Sequence, residues 1–187
     1  MCGRYSLFLE ETEIRDILNA IHRQGQESKT GEIYPTNPAP VLTLRQGRLT
    51  PQVQVWGFPG FGPRKGVIIN ARAETAGEKP MFRRSLETGR CVVPSTGFYE
   101  WSQDKKKIKY RFRLPGSRIL YMAGLYREFQ GEMRYVILTT AANESVADVH
   151  DRMPVVLLPG QVEEWVGDKG HLPLLTRTPP LLERTVV

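Results

Sequence analysis

The chain has 187 residues, 40% of them hydrophobic and 9% aromatic, which suits one domain with a real core. No stretch approaches the ~20 apolar residues of a membrane span, and the apolar run at residues 7–9 is too short for a signal peptide. Two cysteines, Cys2 and Cys91, exclude a disulfide scaffold or a four-cysteine zinc centre, which leaves a cytosolic globular protein whose net charge of +6 suits a polyanionic partner.

Residues 10–24 place Ile14, Ile17, Leu18 and Ile21 at i, i+3, i+4 and i+7, one apolar face of an amphipathic helix. Residues 25–31 are polar and read as a loop. Residues 41–44 and 53–56 flank Gln46-Gly47 as the arms of a hairpin, with Pro51 pushing the second arm towards an edge. Gly57-Phe58-Pro59-Gly60-Phe61-Gly62 lacks the Lys and Ser/Thr that a phosphate loop requires. Residues 67–69 read as a short buried strand, and residues 70–75 as a helix-cap region or a polar clamp at a site. A short helix is expected over 80–86, stopping near Gly89. Strands follow at 90–93, 97–101, 109–114, 119–125 and 134–140, then short helices at 145–149 and 161–166. The Pro- and Thr-rich residues 172–187 receive no role. Many short strands, few helices and no regular strand–helix alternation predict a single α+β domain over 1–187, predominantly antiparallel β.

The positive charge is concentrated. Residues 64–134 carry sixteen basic and seven acidic side chains, while the flanks are net negative. Arginines outnumber lysines eighteen to eight, and the guanidinium fork pairs well with phosphate. The run Lys105-Lys106-Lys107 reads equally well as a solvated face.

Cys2 is the most informative residue. Loss of Met1 would leave an α-amine and a thiol on neighbouring carbons. Such an aminothiol condenses with an aldehyde to an imine, then closes a five-membered thiazolidine through sulfur. Unperturbed pKa values of about 8 and about 8.5 would leave both groups partly reactive near neutrality. Cys91, beside Val92 and Val93, reads as a buried structural thiol. Glu100, between Tyr99 and Trp101, is suited to proton transfer, or is a surface residue on the polar side of an alternating strand. His150 lies in a polar turn before Asp151-Arg152-Met153-Pro154. With His22 and His171 far away in sequence and no HExxH pattern, no metal centre is expected.

Seven short blocks, in order, resemble one family. They are Met1-Cys2-Gly3-Arg4-Tyr5, Val55-Trp56-Gly57-Phe58, Ile69-Asn70-Ala71-Arg72-Ala73-Glu74-Thr75, Arg90-Cys91-Val92-Val93-Pro94, Gly97-Phe98-Tyr99-Glu100-Trp101 and Met122-Ala123-Gly124-Leu125-Tyr126. The seventh runs from Ile137-Leu138-Thr139-Thr140 to His150-Asp151-Arg152-Met153-Pro154. The chain is thereby similar to the SOS response-associated peptidase (SRAP) family of abasic-site processing proteins, over residues 1–158. The resemblance implies a barrel-like sheet core and covalent attachment of Cys2 to abasic sites in single-stranded DNA, and extends to strand cleavage and removal of Met1. It implies that Asn70 holds the N-terminal amine and the opened sugar. Glu100 would assist imine formation, and His150 would promote opening of the deoxyribose ring. Arg4, Arg72, Arg83, Arg84 and Arg152 become candidates for phosphate contacts, and Trp56, Phe82 and Trp101 for base stacking or wedging. No cofactor, metal or membrane is implied, monomer is the default, and the location is cytoplasmic, at the nucleoid when bound to damage. The segment from Gly31 to Asn37 departs from the family's Tyr-Asn-x-Ala-Pro pattern, and Phe58-Pro59-Gly60-Phe61 from its Trp-Gly-Leu-x-Pro form. Two other classes compete: a cysteine peptidase with Cys2 as nucleophile, and a non-catalytic nucleic-acid binding module.

Overall fold

Turn residues and apolar alternation cut the chain into short strands in the computed structural model, which describes residues 2–60, 66–167 and 171–187. Met1 and the Phe61-Gly62 end of the glycine-containing run lie outside those residues. In chain order come β1 (Tyr5–Leu7), α1 (Thr12–Arg23), β2 (Gly31–Ile33), β3 (Pro38–Arg45), β4 (Arg48–Trp56) and β5 (Phe58–Pro59). Then β6 (Val67–Ile68) and β7 (Asn70–Arg72) precede α2 (Pro80–Thr88), β8 (Arg90–Ser95), β9 (Gly97–Trp101) and β10 (Lys109–Arg113). Finally β11 (Leu120–Phe129), β12 (Glu132–Ala141), β13 (Arg152–Pro154) and β14 (Val156–Leu157) lead to α3 (Val162–Val166), α4 (His171–Thr176) and β15 (Glu183–Val186).

Five strands close into a barrel. β12 pairs with β11 on one side and with β4 on the other, and β4, β3, β8 and β11 complete the ring. One parallel pair, Arg134↔Val55 and Tyr135↔Trp56, makes the closure; the other ring pairs are antiparallel. Closure gives every ring strand a partner on both sides, although β4 before Val55 keeps an open edge. Beyond it, β12 continues between β7 and β13. A second sheet, ordered β15-β10-β9-β1-β2, is antiparallel throughout. The α+β, mostly antiparallel and barrel-like expectation therefore holds.

The chain passes from barrel to second sheet at Ser95-Thr96-Gly97. The Ser6 and Ser95 hydroxyls both donate to Gly97 O, at 3.1 and 2.8 Å, and Thr96 N donates to Ser6 O at 2.8 Å. Gly97 has φ +147°, and a Cβ there would lie 2.8 Å from Phe112 O. This corner fixes β1 and β9 together, and with them the start of the chain and Glu100.

Arg90 is buried at the other end of β8. It donates from Nε to Trp165 O at 2.8 Å, and from Nη1 to Leu86 O and Glu87 O at 2.6 and 2.8 Å. Its Nη2 bonds Gly167 O at 2.5 Å. One cation thus satisfies the last carbonyls of α2 and α3, which have no partner within their helices.

Several local expectations are corrected. Residues 67–69 form no buried strand: Val67 is exposed and pairs only in the two-residue β6, while Asn70 opens a separate strand. Residues 145–149 form turns rather than a helix. The Asn143 side chain accepts from Ser145 N and Oγ, at 3.1 and 2.6 Å, and donates to Pro179 O and Pro180 O, both at 2.9 Å. The bonds to the two prolines tie this segment to the C-terminal chain 36 and 37 positions ahead. Strands β1 and β2 are too short to show periodicity. The unassigned C-terminus supplies α4 and β15, which pairs with β10 from Tyr110↔Val186 to Arg113↔Glu183. The hairpin is longer than expected, pairing Pro38↔Val55 through Arg45↔Arg48. Its Pro51 lies on the stretch of β4 that β12 does not reach.

Candidate active site

Three elements bring the reactive groups together. Tyr5 pairs with Phe98, and Tyr99 N donates to Arg4 O at 2.9 Å, so the residues before β1 run back along β9 towards Glu100. Cys2 is wholly buried, and its thiol approaches Arg4 O at 3.9 Å. Glu100 is 4% exposed, which removes the surface reading of that residue. Burial, and then the negative charge of Glu100, push the Cys2 thiol well above its usual range. Asn70 closes the third side. Its Nδ2 donates to Cys2 O at 3.0 Å, and its Oδ1 is buried without a partner.

Asn70 is held by the barrel. β7 pairs with β12 in parallel, Ile137↔Asn70, and the carbonyl just before it, Ile69 O, accepts from Ile137 N at 3.1 Å and from Trp56 Nε1 at 3.0 Å. Trp56 is wholly buried, tilted against Tyr5 at 5.2 Å and stacked on Tyr135 at 6.4 Å, and the Tyr5 and Tyr135 hydroxyls share a 2.6 Å hydrogen bond. The expectation that Trp56 stacks on a base is thus corrected: it is a core residue that positions Asn70. Phe82, 7% exposed and packed against Phe58, likewise presents no stacking face.

His150 and Asn70 come from opposite edges of β12. β7 covers Ile137–Thr139 on one edge, and β13, which follows His150, covers Thr139–Ala141 on the other. Arg152 N donates to His150 Nδ1 at 3.0 Å. Asp151 Oδ1 lies 2.8 Å from the same Nδ1. Arg152 itself is held by Glu74 through two 2.8 Å bonds and donates to Thr139 O at 2.6 Å. The Arg152 hydrogen bonds and charge pull the Glu74 carboxyl down to about 2 against the cost of burial. Arg152 is therefore already engaged in tying the His150 segment to the turn after β7. Arg72, Arg83 and Arg84 are exposed. Arg4 and Trp101 are half-buried near the start of the chain, with Arg4 Cζ 4.8 Å from the Trp101 ring. Sequence reading missed Glu32, Tyr34 and Lys109, which gather around Arg4. The alternation in β9 and β10, which puts Tyr99, Trp101, Lys109 and Arg111 on one face, was the signal available.

Among the described residues no group of three or more His, Cys, Asp and Glu is placed to hold a metal ion, and no helix is long and apolar enough to cross a membrane. The profile of the SOS response associated peptidase (SRAP) family matches residues 1–180. The chain belongs to this family. An SRAP relative in Bacillus subtilis, abasic site processing protein YoqW, is 37% identical over 92% of this chain and 83% of its own length. Abasic site processing protein YedK of Escherichia coli is 29% identical over 89% of this chain and 79% of its own. A crystal structure from Bordetella bronchiseptica shares the fold with TM-score 0.79 at 23% identity, covering 100% of this chain and 99% of that one.

Proposed function

We propose that this SRAP chain, once Met1 is removed, binds single-stranded DNA and links Cys2 covalently to abasic sites. The observation that carries the reading is the enclosure of Cys2 between the Asn70 amide and the Glu100 carboxyl. The relatives named above support abasic-site processing as the activity.

An abasic deoxyribose is mostly a closed hemiacetal, so its aldehyde must first be released. His150, with Arg152 N and Asp151 Oδ1 at its Nδ1, suits that proton transfer. The Cys2 amine then attacks the aldehyde carbon. The carbinolamine loses its hydroxyl as water with a proton from Glu100, which leaves an iminium. The Cys2 sulfur adds to the iminium carbon and its proton returns to Glu100. The sum is one aldehyde and one aminothiol giving one thiazolidine and one water. Asn70 fixes the Cys2 carbonyl, and so limits the swing of the amine on the same Cα. A raised thiol pKa suits this order, because sulfur keeps its proton until an electrophile is in place. The same feature disfavours the peptidase reading, which needs a ready thiolate.

Intact-mass measurement of the protein mixed with single-stranded DNA bearing one abasic site tests this. The expected product is the mass of the chain without Met1 plus the DNA minus one water. No adduct, or an equally abundant adduct on protein that retains Met1, refutes the aminothiol route. Of the charged and aromatic candidates, Arg4, Arg72, Arg83, Arg84 and Trp101 remain accessible for DNA.

A further inference from the structure

The outer face of the second sheet carries a stripe of alternating rings and cations. Register places Lys109 beside Trp101 and Arg111 beside Tyr99, while Glu32 lies beside Ser6. Arg4 Cζ lies 4.3 Å from the Tyr34 ring centre, and Lys109 Nζ lies 4.1 Å from that of Tyr99. At the middle of the stripe is one carboxylate. Glu32 accepts from Arg4 Nη1 at 3.1 Å, Lys109 Nζ at 2.5 Å and Tyr34 OH at 3.0 Å. Burial would raise its pKa, but the Lys109 and Tyr34 hydrogen bonds and the charges of Lys109 and Arg4 outweigh that and lower it. The cluster is still reachable, with Glu32 28% and Lys109 22% exposed, and Arg4 Nε is buried without a partner.

We propose that Glu32 stands where a DNA phosphate binds, and that exchange of this carboxylate for phosphate makes the protein select single strands. The donors around Glu32 are those a phosphodiester would use, two cations and a phenol. A phosphodiester and a carboxylate each carry one negative charge, so the exchange at Arg4 and Lys109 is close to neutral in itself. Something else must tip it. An unpaired base can stack on Trp101 or Tyr34 as its phosphate enters, and such stacking is worth about 1–3 kcal/mol per base. A base in a duplex is already stacked and gains nothing from the exchange. Without the carboxylate, any phosphate would enter and that discrimination would fall. This rests on the reading of the site as a DNA-processing centre.

The test uses undamaged DNA, so that no covalent step enters. Fluorescence anisotropy would compare a 15-nucleotide single strand with the same sequence as a duplex, on the wild-type protein and on Glu32→Gln. Duplex affinity should rise by about tenfold and single-strand affinity by about threefold, the scale of one or two exposed ion pairs, so the preference for single strands shrinks. Asp16→Asn, on the exposed side of α1, should shift both affinities equally and little. Tyr34→Phe loosens Glu32 without changing charge at an exposed position, and should move the preference in the same direction. An unchanged preference in Glu32→Gln and Tyr34→Phe, or weaker binding in Glu32→Gln, overturns the proposal, since Glu32 would then only prop its cations. Abasic DNA is scored separately. A shifted preference without adduct formation leaves Glu32 its role and removes the covalent reading; an adduct with no shift does the reverse.

Discussion

In the proposed mechanism Cys2, Asn70 and Glu100 do different jobs, so their variants should fail differently. Glu100→Gln keeps the shape of the side chain but cannot cycle a proton, so adduct formation should slow by roughly 10²–10⁴, the usual range for a lost acid/base group. Single-turnover gel kinetics on abasic DNA measure it, and a wild-type rate would remove Glu100 from proton transfer. Cys2→Ala keeps the amine, so the stable adduct should vanish while a borohydride-trappable imine survives; loss of both would show that the thiol is needed before the imine forms. That Cys2, Asn70 and Glu100 belong to one candidate centre was legible because each stands in a recognisable local block. Trp56 was misread because exposure is not written in a sequence. An aromatic followed by Gly57 looks the same whether it faces solvent or, as here, donates to Ile69 O. Glu32 was not legible from its own surroundings, since Arg4, just before β1, and Lys109, in β10, lie 28 and 77 positions away.

At the scale of elements, turns set by glycine were legible and turns set by long-range bonds were not. Gln46 and Gly47, at φ 49° and 74°, make the left-handed pair that a two-residue hairpin favours. Gly47→Ala meets no atom within 4 Å and should cost only about 1 kcal/mol, from backbone conformation. Gly97→Ala must cost more, because the added methyl strikes Phe112 O at the corner that orients β9. Urea unfolding compares the two, and equal midpoints would mean that the corner gives way without effect. Arg90 offers a similar contrast. Its neighbours Leu86 and Cys91 look like ordinary core, yet Arg90→Met would leave four carbonyls without their donor and should lose on the order of 3 kcal/mol. The helix expected at 145–149 failed for a comparable reason, as Asn143 is bound to prolines 36 and 37 positions ahead.

For the molecule as a whole, charge and pH are the accessible handles. Arg152 lowers Glu74 from 4.5 to about 2. The stabilisation is therefore fully present above pH 4.5 and is lost as pH falls towards 2. The Glu74 side chain is 45% exposed, so solvent screens the pair and the effect is modest. Glu74→Gln should melt about 2 °C lower at neutral pH and converge on the wild type by pH 2; parallel melting curves throughout would deny the pair any share in acid stability. The antiparallel α+β class was readable from strand lengths and turn spacing, but not the closure of the barrel, which depends on the parallel meeting of β4 and β12 across about 80 positions. That strand has a kinetic consequence. β12 borders β4, β7, β11 and β13, with partners from Val55 to Pro154, so its ladder cannot be finished until distant parts of the chain have both arrived. Contacts of such sequence separation slow folding into the millisecond-to-second range. The frame that holds Asn70 and His150 on either side of β12 is then among the last parts of the molecule to form, and the chemistry proposed at Cys2 would wait for nearly complete folding.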